Sequence, residues 1–204
     1  MSTFWDERFS KPDYAYGELP NQFFKDQLDL LPSGSILLPA EGEGRNAVYA
    51  ALKGWEVEAF DASVEGRKKA IALAEKAGVS FSYLVRELRE VMYTEASFDV
   101  IALIYMHLPS NQMAASHRKL LHFLKPGGRI MLEAFGPKHP AFQKLNPQVG
   151  GPLDADLLIG TDQIRNDFAQ LDIEMLEEVE IELNEGLFHV GKGSVVRFVG
   201  RKKE

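Results

Sequence analysis

The stretch that decides the fold is SILLPAEGEGRNAVYAALKGWEVEAFD, residues 35–61. Its opening apolar run, 36–38, predicts a short buried strand. Small and acidic residues form a turn over 40–44, and the apolar face that follows predicts a helix over 45–53. A second strand, 57–60, runs directly into Asp61. The stretch therefore predicts a βαβ unit with glycines at its first turn and an acid at the end of its second strand.

Such a unit binds a nucleotide-like ligand at its strand ends. Backbone N–H groups at the helix start face the ligand's anionic end, and the acid accepts hydrogen bonds from ribose hydroxyls. Gly42, Gly44 and Ala47 match the dinucleotide pattern G-x-G-x-x-A. Glu41 and Glu43 instead favour the cationic S-adenosylmethionine, because two carboxylates would repel phosphates. A turn whose glycines serve packing alone is the third interpretation.

Composition narrows the class of protein. A length of 204 residues predicts a single domain, 1–204, and 45% hydrophobic residues suffice for a core. The net charge of −7 has the wrong sign for a general nucleic-acid binder. The chain has no cysteine, which excludes disulfides and thiolate metal sites. It shows no signal peptide and no membrane-length apolar run, so we expect a cytoplasmic protein without nucleic-acid or membrane partners, as a monomer or weak homodimer.

Strand-like and helix-like segments alternate up to residue 135. This alternation predicts an α/β, doubly wound, mostly parallel sheet with helices on both faces. Ligands of such sheets bind at the carboxyl ends of the strands, which here are 40–44, Asp61, Glu87, 105–107 and Phe135. Residues 35–135 are therefore the predicted cofactor-binding core.

Three segments flank this core. Residues 1–34 are predicted to cover one side of the sheet or to close over the ligand as a lid, with Tyr14 and Tyr16 as substrate contacts. The range 136–160 is long and rich in proline and glycine, which indicates a substrate loop. Residues 161–204 contain a helix and a closing β-hairpin.

The order of these motifs resembles class I S-adenosylmethionine-dependent methyltransferases. The matching motifs are Glu-Gly-Glu-Gly at 41–44, Asp61 after the second strand, Phe-Asp-Val at 98–100, Lys-Pro-Gly-Gly at 125–128 and the closing hairpin. Gly-Arg-Asn at 44–46 and the aromatic N-terminal segment resemble the tellurite-resistance and thiopurine S-methyltransferase branch. The resemblance implies a seven-stranded Rossmann-like sheet and methyl transfer from S-adenosylmethionine to a small molecule, with soft sulfur, selenium or tellurium nucleophiles as candidates.

The resemblance also implies where the cofactor lies. Its methionine end is expected on 40–44 and its ribose on Asp61. Its adenine is expected between Ala62, Ser63 and Leu88, with Glu87 where the family has an Asp beside it. Leu38 and Ala40 stand where the family has an acid and a glycine, so Glu41 becomes the candidate for the amino-group contact. The predicted cofactor contacts are Ala40, Glu41, Gly42, Gly44, Arg45, Asp61, Ala62, Ser63, Glu87, Leu88 and Tyr105.

Two histidines are the candidate catalytic residues. His107 follows the fourth strand and either hydrogen-bonds the substrate or stacks beneath the cofactor. His189 reaches the site from the hairpin or is a plain surface histidine. Arg45 joins the two tyrosines as a substrate contact, and no histidine pair has metal-ligand spacing, so no metal is predicted. An NAD(P)-dependent oxidoreductase and a non-catalytic S-adenosylmethionine-binding module are the alternative functions.

Overall fold

The computed structural model describes residues 2–204; Met1, the first residue of the predicted N-terminal segment, lies outside this range. The strands are β1 (Ser35–Pro39), β2 (Glu56–Asp61), β3 (Ser82–Val85), β4 (Phe98–Ile104), β5 (Leu124–Phe135), β6 (Leu171–Glu185) and β7 (His189–Lys202). The α-helices are α1 (Ser2–Phe9), α2 (Gln22–Leu28), α3 (Arg45–Leu52), α4 (Val64–Ala77), α5 (Ser110–Phe123), α6 (His139–Leu145) and α7 (Thr161–Asp167).

The strands form one seven-stranded sheet in the order β3-β2-β1-β4-β5-β7-β6. The first five strands pair in parallel, whereas β7 pairs antiparallel with both β5 and β6. The predicted doubly wound sheet with a C-terminal antiparallel hairpin is confirmed. The last strand in the chain, β7, lies between β5 and β6. Because β7 runs antiparallel to β5, the hairpin turn lies near the carboxyl end of β5, on the side where ligands of parallel sheets bind.

Alternate residues of the central strands bury into opposite layers, as expected for a sheet covered on both faces. On one face Ile101 and Leu103 of β4 pack with α5 and α7. On the other face Val100 and Ala102 pack with α2 and α3. The continuous apolar run of β4 therefore has a direct structural cause, since neither of its faces meets water.

Several boundaries differ from the sequence prediction. The proline and glycines of 125–128 predict a stop before a strand over 129–135, but these residues belong to β5, which begins at Leu124. The alternation over 178–183 and the apolar run over 195–199 predict short hairpin strands, but β6 and β7 are longer, because they pair over almost their entire lengths. The predicted loop 136–160 contains α6 and two short 3-10 helices, Pro147–Val149 and Ala155–Leu157. Capping by Asn146 and Asp154 starts the two 3-10 turns.

The N-terminal helix α1 packs against the start of α4, beside the glycine turn. Asp6 Oδ1 accepts from the Ser63 hydroxyl (2.6 Å) and from the Glu65 N–H (3.2 Å). The Phe9 ring is buried between Gly42 and Gly66, where an added Cβ would lie 3.1 Å from a ring carbon in either case. The segment thus covers the turn in this structure, and its opening as a lid stays a prediction.

Gly44 joins the turn to α3 with a left-handed backbone (φ 86°) and sits tightly against α4. A Cβ added there would lie 2.5 Å from the Ala70 Cβ, whereas one added at Gly54 (φ 82°) would meet nothing within 4 Å. We expect Gly44→Ala to lower the free energy of unfolding by about 2–5 kcal/mol, from backbone strain plus overpacking.

Gly54→Ala is the matched control, since it carries the backbone strain alone, about 1–2 kcal/mol. Urea denaturation of both variants measures the difference. Equal losses would show that α4 yields at Ala70 and that the close approach of the two helices does not matter.

Candidate cofactor and acceptor site

Glu41 occupies the helix N-terminus that was expected to face a ligand. Its Oε1 accepts from the backbone N–H groups of Asn46 and Ala47, both at 2.8 Å. The expectation that these groups face an anionic ligand is therefore wrong, because an internal carboxylate has taken that position. Burial raises the pKa of Glu41 to about 7, against the lowering effect of the two N–H bonds. A pyrophosphate would have to displace this buried carboxylate, which disfavours the dinucleotide interpretation.

Asp61 lies at the end of β2, as predicted, and is only 8% exposed. Its Oδ2 accepts from the Gly42 N–H (3.1 Å) and its Oδ1 from the Ser63 N–H (2.8 Å). Burial raises the pKa of the Asp61 carboxyl. Each carboxylate oxygen has two lone pairs, so acceptor capacity is left for ribose hydroxyls. The two backbone bonds hold the carboxylate in one orientation, and its contact with the ribose stays a prediction.

The turn opens to solvent at one residue. Ala40 is exposed, whereas 41–48 are buried in their loop and helix. Its backbone is left-handed (φ 53°), an uncommon state for a residue with a Cβ. Tyr105, at the end of the adjacent strand β4, shares this feature with φ 52°. Two strained residues on neighbouring strand ends are typical of a ligand site, and the exposed Ala40 gives a cofactor a surface to lie on.

The residues predicted to contact the adenine have different surroundings in the structure. The Ser63 hydroxyl caps α4 by accepting from the Gly66 N–H (3.0 Å), so its oxygen serves the helix. Ala62 is half-buried, Leu88 packs against the core, and Glu87 pairs with Arg89 at 2.8 Å. Their cofactor contacts stay predictions.

The charged residues of the turn bind other parts of the protein. Glu43 accepts from the Ala15 N–H (2.8 Å) and the Lys69 ammonium (2.7 Å), which ties the N-terminal segment to α4. Arg45 donates to the Tyr16 carbonyl (3.2 Å) and pairs with Glu185 (3.2 Å). Arg45 is therefore directed to the segment and the hairpin, and its predicted cofactor and substrate contacts would run through those partners.

Beyond the end of β4 lies an aromatic cluster centred on Phe135, which we call the Phe135 cluster. Its members are Tyr105, His107, Phe135, His139 and His189. The centroid distances from Phe135 are 4.9 Å to Tyr105, 5.7 Å to His107, 4.0 Å to His139 and 5.1 Å to His189. Both predicted catalytic histidines thus meet at one strand end, next to the predicted cofactor edge.

His107 has an open acceptor. Its Nδ1 lies 2.8 Å from the Leu157 carbonyl, which assigns the proton to Nδ1 and a lone pair to Nε2. That Nε2 is buried and has no hydrogen-bond partner among the described residues. Burial lowers the pKa of His107 to about 4, so the ring is neutral at pH 7. An unpaired buried acceptor is costly, which makes this Nε2 a candidate to accept a hydrogen bond from a ligand.

The two tyrosines predicted as substrate contacts lie in different parts of the structure. Tyr16 lies 4.5 Å from His189 between ring centroids, and its hydroxyl accepts from Arg8 (2.7 Å). Tyr14 instead packs against the α3–α4 interface, with its hydroxyl on the Lys69 carbonyl. The structure brings Tyr16 to the Phe135 cluster and leaves Tyr14 away from it.

Sequence reasoning missed a buried polar network below the cluster. Glu133 (1% exposed) accepts from Arg197 (2.7 Å), from the Asn21 amide (2.6 Å) and from the Tyr105 hydroxyl (3.1 Å). The same Asn21 amide donates to Glu185 (3.0 Å). One signal was readable: Glu133 and Arg197 are single charges within the apolar runs 130–135 and 195–199, and the two residues are register partners.

Residues 36–128 match the profile of a family described as "Methyltransferase domain". The matched residues fall within the predicted cofactor-binding core and make up slightly less than half of the chain. The prediction of an S-adenosylmethionine-dependent methyltransferase is confirmed at this level, and S-adenosylmethionine is its cofactor. No curated protein sequence matches the chain.

Solved structures share the fold of this methyltransferase. One, from a study of the conversion of a disulfide bond into a thioacetal group during echinomycin biosynthesis, has TM-score 0.79 and 17% identity, covering 100% of this chain and 92% of that one. TehB from Haemophilus influenzae has TM-score 0.72 and 15% identity over 99% and 67%. Magnesium protoporphyrin IX methyltransferase from Synechocystis PCC 6803 with bound SAH has TM-score 0.69 and 14% identity over 89% and 82%. These identities show the fold alone.

Two further features of the methyltransferase concern metal and membrane. Between residues 2 and 204, no three or more His, Cys, Asp or Glu side chains are arranged to hold a metal ion. None of the helices in that range combines the length and apolar character needed to cross a bilayer.

The ribose contact of the methyltransferase is testable at Asp61. We expect Asp61→Ala to weaken S-adenosylmethionine binding by about 1.5–3 kcal/mol, the range for hydrogen bonds to a charged group. Calorimetric titration gives the dissociation constant. Asp99→Asn, which changes an acid at the opposite end of the sheet where it binds Ser35 and Lys125, should leave the constant unchanged. Unaltered binding by Asp61→Ala would show that the predicted position of the ribose is wrong.

Glu41 gives a pH-dependent prediction. Its folded pKa of about 7 lies above the ordinary 4.5, so its contribution to stability is present at low pH and is lost as pH rises through 7. From pH 6 to pH 8 the wild type should lose about 1 kcal/mol relative to Glu41→Gln. The buried histidines titrate in both proteins and cancel in this difference. Urea denaturation at both pH values measures it, and a constant difference would mean that Glu41 is ionised throughout.

Proposed function

We propose that this methyltransferase transfers the methyl group of S-adenosylmethionine to a small-molecule acceptor whose reacting atom is a soft nucleophile, with sulfur favoured over selenium and tellurium. The observation that carries the proposal is the Phe135 cluster, which stands at the end of β4 and β5 beside the cofactor edge. Bound S-adenosylmethionine supplies an electrophilic methyl group on a sulfonium sulfur.

The chemistry of the cluster supports a soft acceptor. Its walls are aromatic rings and imidazoles, and burial lowers the pKa of His107, His139 and His189, so the rings are neutral at pH 7. Neutral aromatic surroundings suit polarisable atoms, since sulfur makes favourable contacts with aromatic rings. The adjoining charges of Glu133 and Glu185 are compensated by Arg197 and Arg45. The remaining arginine near the cluster, Arg8, donates to the Tyr16 hydroxyl.

The protein's part in the reaction is alignment and exclusion of water. Asp61 and the exposed Ala40 would hold the cofactor side. Phe135 and Tyr105 would hold the acceptor side, with the Nε2 of His107 accepting from a donor group on the acceptor. The α1 helix and the hairpin turn cover the site from opposite ends of the chain, and the Leu187 N–H donates to the Ala15 carbonyl (2.9 Å).

Two comparisons point the same way. One structurally similar protein belongs to the conversion of a disulfide bond into a thioacetal group, a reaction at sulfur. The Gly-Arg-Asn motif at 44–46 and the aromatic N-terminal segment resemble the tellurite-resistance and thiopurine S-methyltransferase branch. We infer membership of that branch as the finer form of the proposal.

Calorimetry and product analysis test the proposal. S-adenosylmethionine and S-adenosylhomocysteine should bind more tightly than about 100 μM, a free energy of about 5.5 kcal/mol, and NADH should not bind. Mass spectrometry should then find methylated product from thiols in a panel that also holds amines, hydroxyl compounds, selenide and tellurite. Methylation of amines or hydroxyl compounds alone would overturn the soft acceptor, and binding of NADH would restore the oxidoreductase alternative.

A further inference from the structure

We propose that Glu185 and His189 form a dyad that takes the proton from a protonated acceptor, so that the acceptor class is the un-ionised thiol. This inference deepens the proposed function and rests on it. Glu185 ends β6 and His189 begins β7, and the two are partners in the last register pair of the hairpin. The dyad therefore stands at the hairpin turn, against the Phe135 cluster.

The geometry assigns a role to each ring nitrogen of His189. Its Nδ1 lies 3.0 Å from Glu185 Oε2, so the Nδ1–H donates to the carboxylate and Nε2 carries the lone pair. The ring is fixed edge-on to Phe135 and lies 4.7 Å from Tyr105 between centroids. Gly150 closes the other side, where an added Cβ would lie 2.9 Å from the ring's Cδ2. A base held by a carboxylate in one tautomer is the arrangement that general-base catalysis uses.

Glu185 is itself held as an anion. Burial opposes its ionisation, but hydrogen bonds from His189 and Arg45 lower the pKa of Glu185 to about 2. Oε2 meets the Arg45 guanidinium at 3.2 Å, and Oε1 accepts from the Asn21 amide at 3.0 Å. Glu185 thus carries a fixed negative charge at any physiological pH, ready to stabilise an imidazolium at His189. Arg45 and Asn21 are positioning residues in this scheme.

The contrast with His107 decides which imidazole is the base. Both rings pack on Phe135, and burial lowers the pKa of both. At His107 the partner is the neutral Leu157 carbonyl, whereas at His189 the partner is a carboxylate that opposes the effect of burial. Neighbouring titratable groups in different environments take different roles. His189 is therefore the stronger base, and His107 accepts a hydrogen bond that orients the acceptor.

The charges around His189 come from several elements. The titratable and charged groups that face its ring are Glu185 of β6, Arg45 of α3, Arg8 of α1, Tyr16 of the N-terminal segment, Tyr105 after β4, and His107 and His139 of the cluster. The two arginines oppose a proton on His189, and Glu185 alone among them favours it. Loss of Glu185 should therefore have a larger effect on this ring than loss of any other neighbour.

The proposed step is balanced. The S–H proton of the thiol moves to Nε2 of His189, and the thiol sulfur forms the new bond to the methyl carbon. The bond from that carbon to the sulfonium sulfur breaks, and its electron pair stays on the departing sulfur. The products are a methyl thioether and S-adenosylhomocysteine, and the proton on His189 passes to solvent. An ordinary alkyl thiol has a pKa of about 8.5, so at pH 7 most of it needs this proton transfer.

Two thiols of different acidity test the dyad. A nitro-substituted thiophenol is ionised at pH 7, whereas 2-mercaptoethanol is mostly protonated. We expect His189→Ala to lower kcat/KM for 2-mercaptoethanol by about 100-fold or more, the scale of general-base catalysis, and to leave that of the thiophenol within about 5-fold. Added imidazole should restore part of the first loss. Glu185→Gln should show the same contrast, and Glu182→Gln, an exposed acid on the same strand, should change neither substrate.

A second readout needs no turnover. The pKa of the His189 ring, followed by NMR in the protein without cofactor, should fall in Glu185→Gln, while cofactor affinity and melting temperature show that the fold is intact. Equal losses for the two thiols, or an unchanged His189 pKa, would overturn the dyad while leaving methyl transfer to thiols standing. Failure of the wild type to methylate either thiol would instead overturn the thiol acceptor and the proposed function together.

Discussion

Glu133 is a carboxylate placed in the middle of a sheet, and much of the acceptor side depends on how its charge is met. An isolated buried carboxylate costs several kcal/mol, so Arg197 on the neighbouring strand, the Asn21 amide and the Tyr105 hydroxyl all converge on it. Asn21 then reaches Glu185 of the hairpin. The chain before the first strand, the end of β4 and the hairpin are in this way joined through one charge. Buried polar groups that are fully paired specify a single arrangement, and here that arrangement fixes the residues below the Phe135 cluster.

In the glycine turn, too, the charged groups are paired within the protein. A helix start with several free N–H groups attracts anions, yet Glu41 already neutralises it from within. Glu43 in turn engages Lys69 and the N-terminal segment. The proposed cofactor contacts that remain in the turn and at the end of β2 are the exposed Ala40 and the acid Asp61. The turn therefore presents acceptors and small residues, which suits a cationic ligand with a ribose and does not suit a pyrophosphate.

Periodicity and turn chemistry were sufficient for the architecture. The apolar run of β4, the βαβ unit and Asp61 at a strand end could be read because each follows from local pattern. The orientation of the Glu41 side chain could not be predicted, because a carboxylate in a glycine turn can face either a ligand or the helix behind it. The partnership of Asn21 with Glu185 spans 164 positions and leaves no local trace. The longer hairpin, and α6 within the expected loop, depended on tertiary pairing that overrides propensity.

Because β7 enters the sheet between β5 and β6, the last strand of the chain lies inside the sheet and not at its edge. Ribosomes release the N-terminal part first, and the cofactor half, from β1 to β5, can pair before the hairpin has been made. The acceptor half has no equivalent early state, since His189 and Arg197 belong to β7, the strand of the sheet that is synthesised last. Contacts between sequence-distant segments form late and slowly. The nascent chain should therefore pass through a stage in which the strands β1 to β5 are paired and the Phe135 cluster still lacks His189.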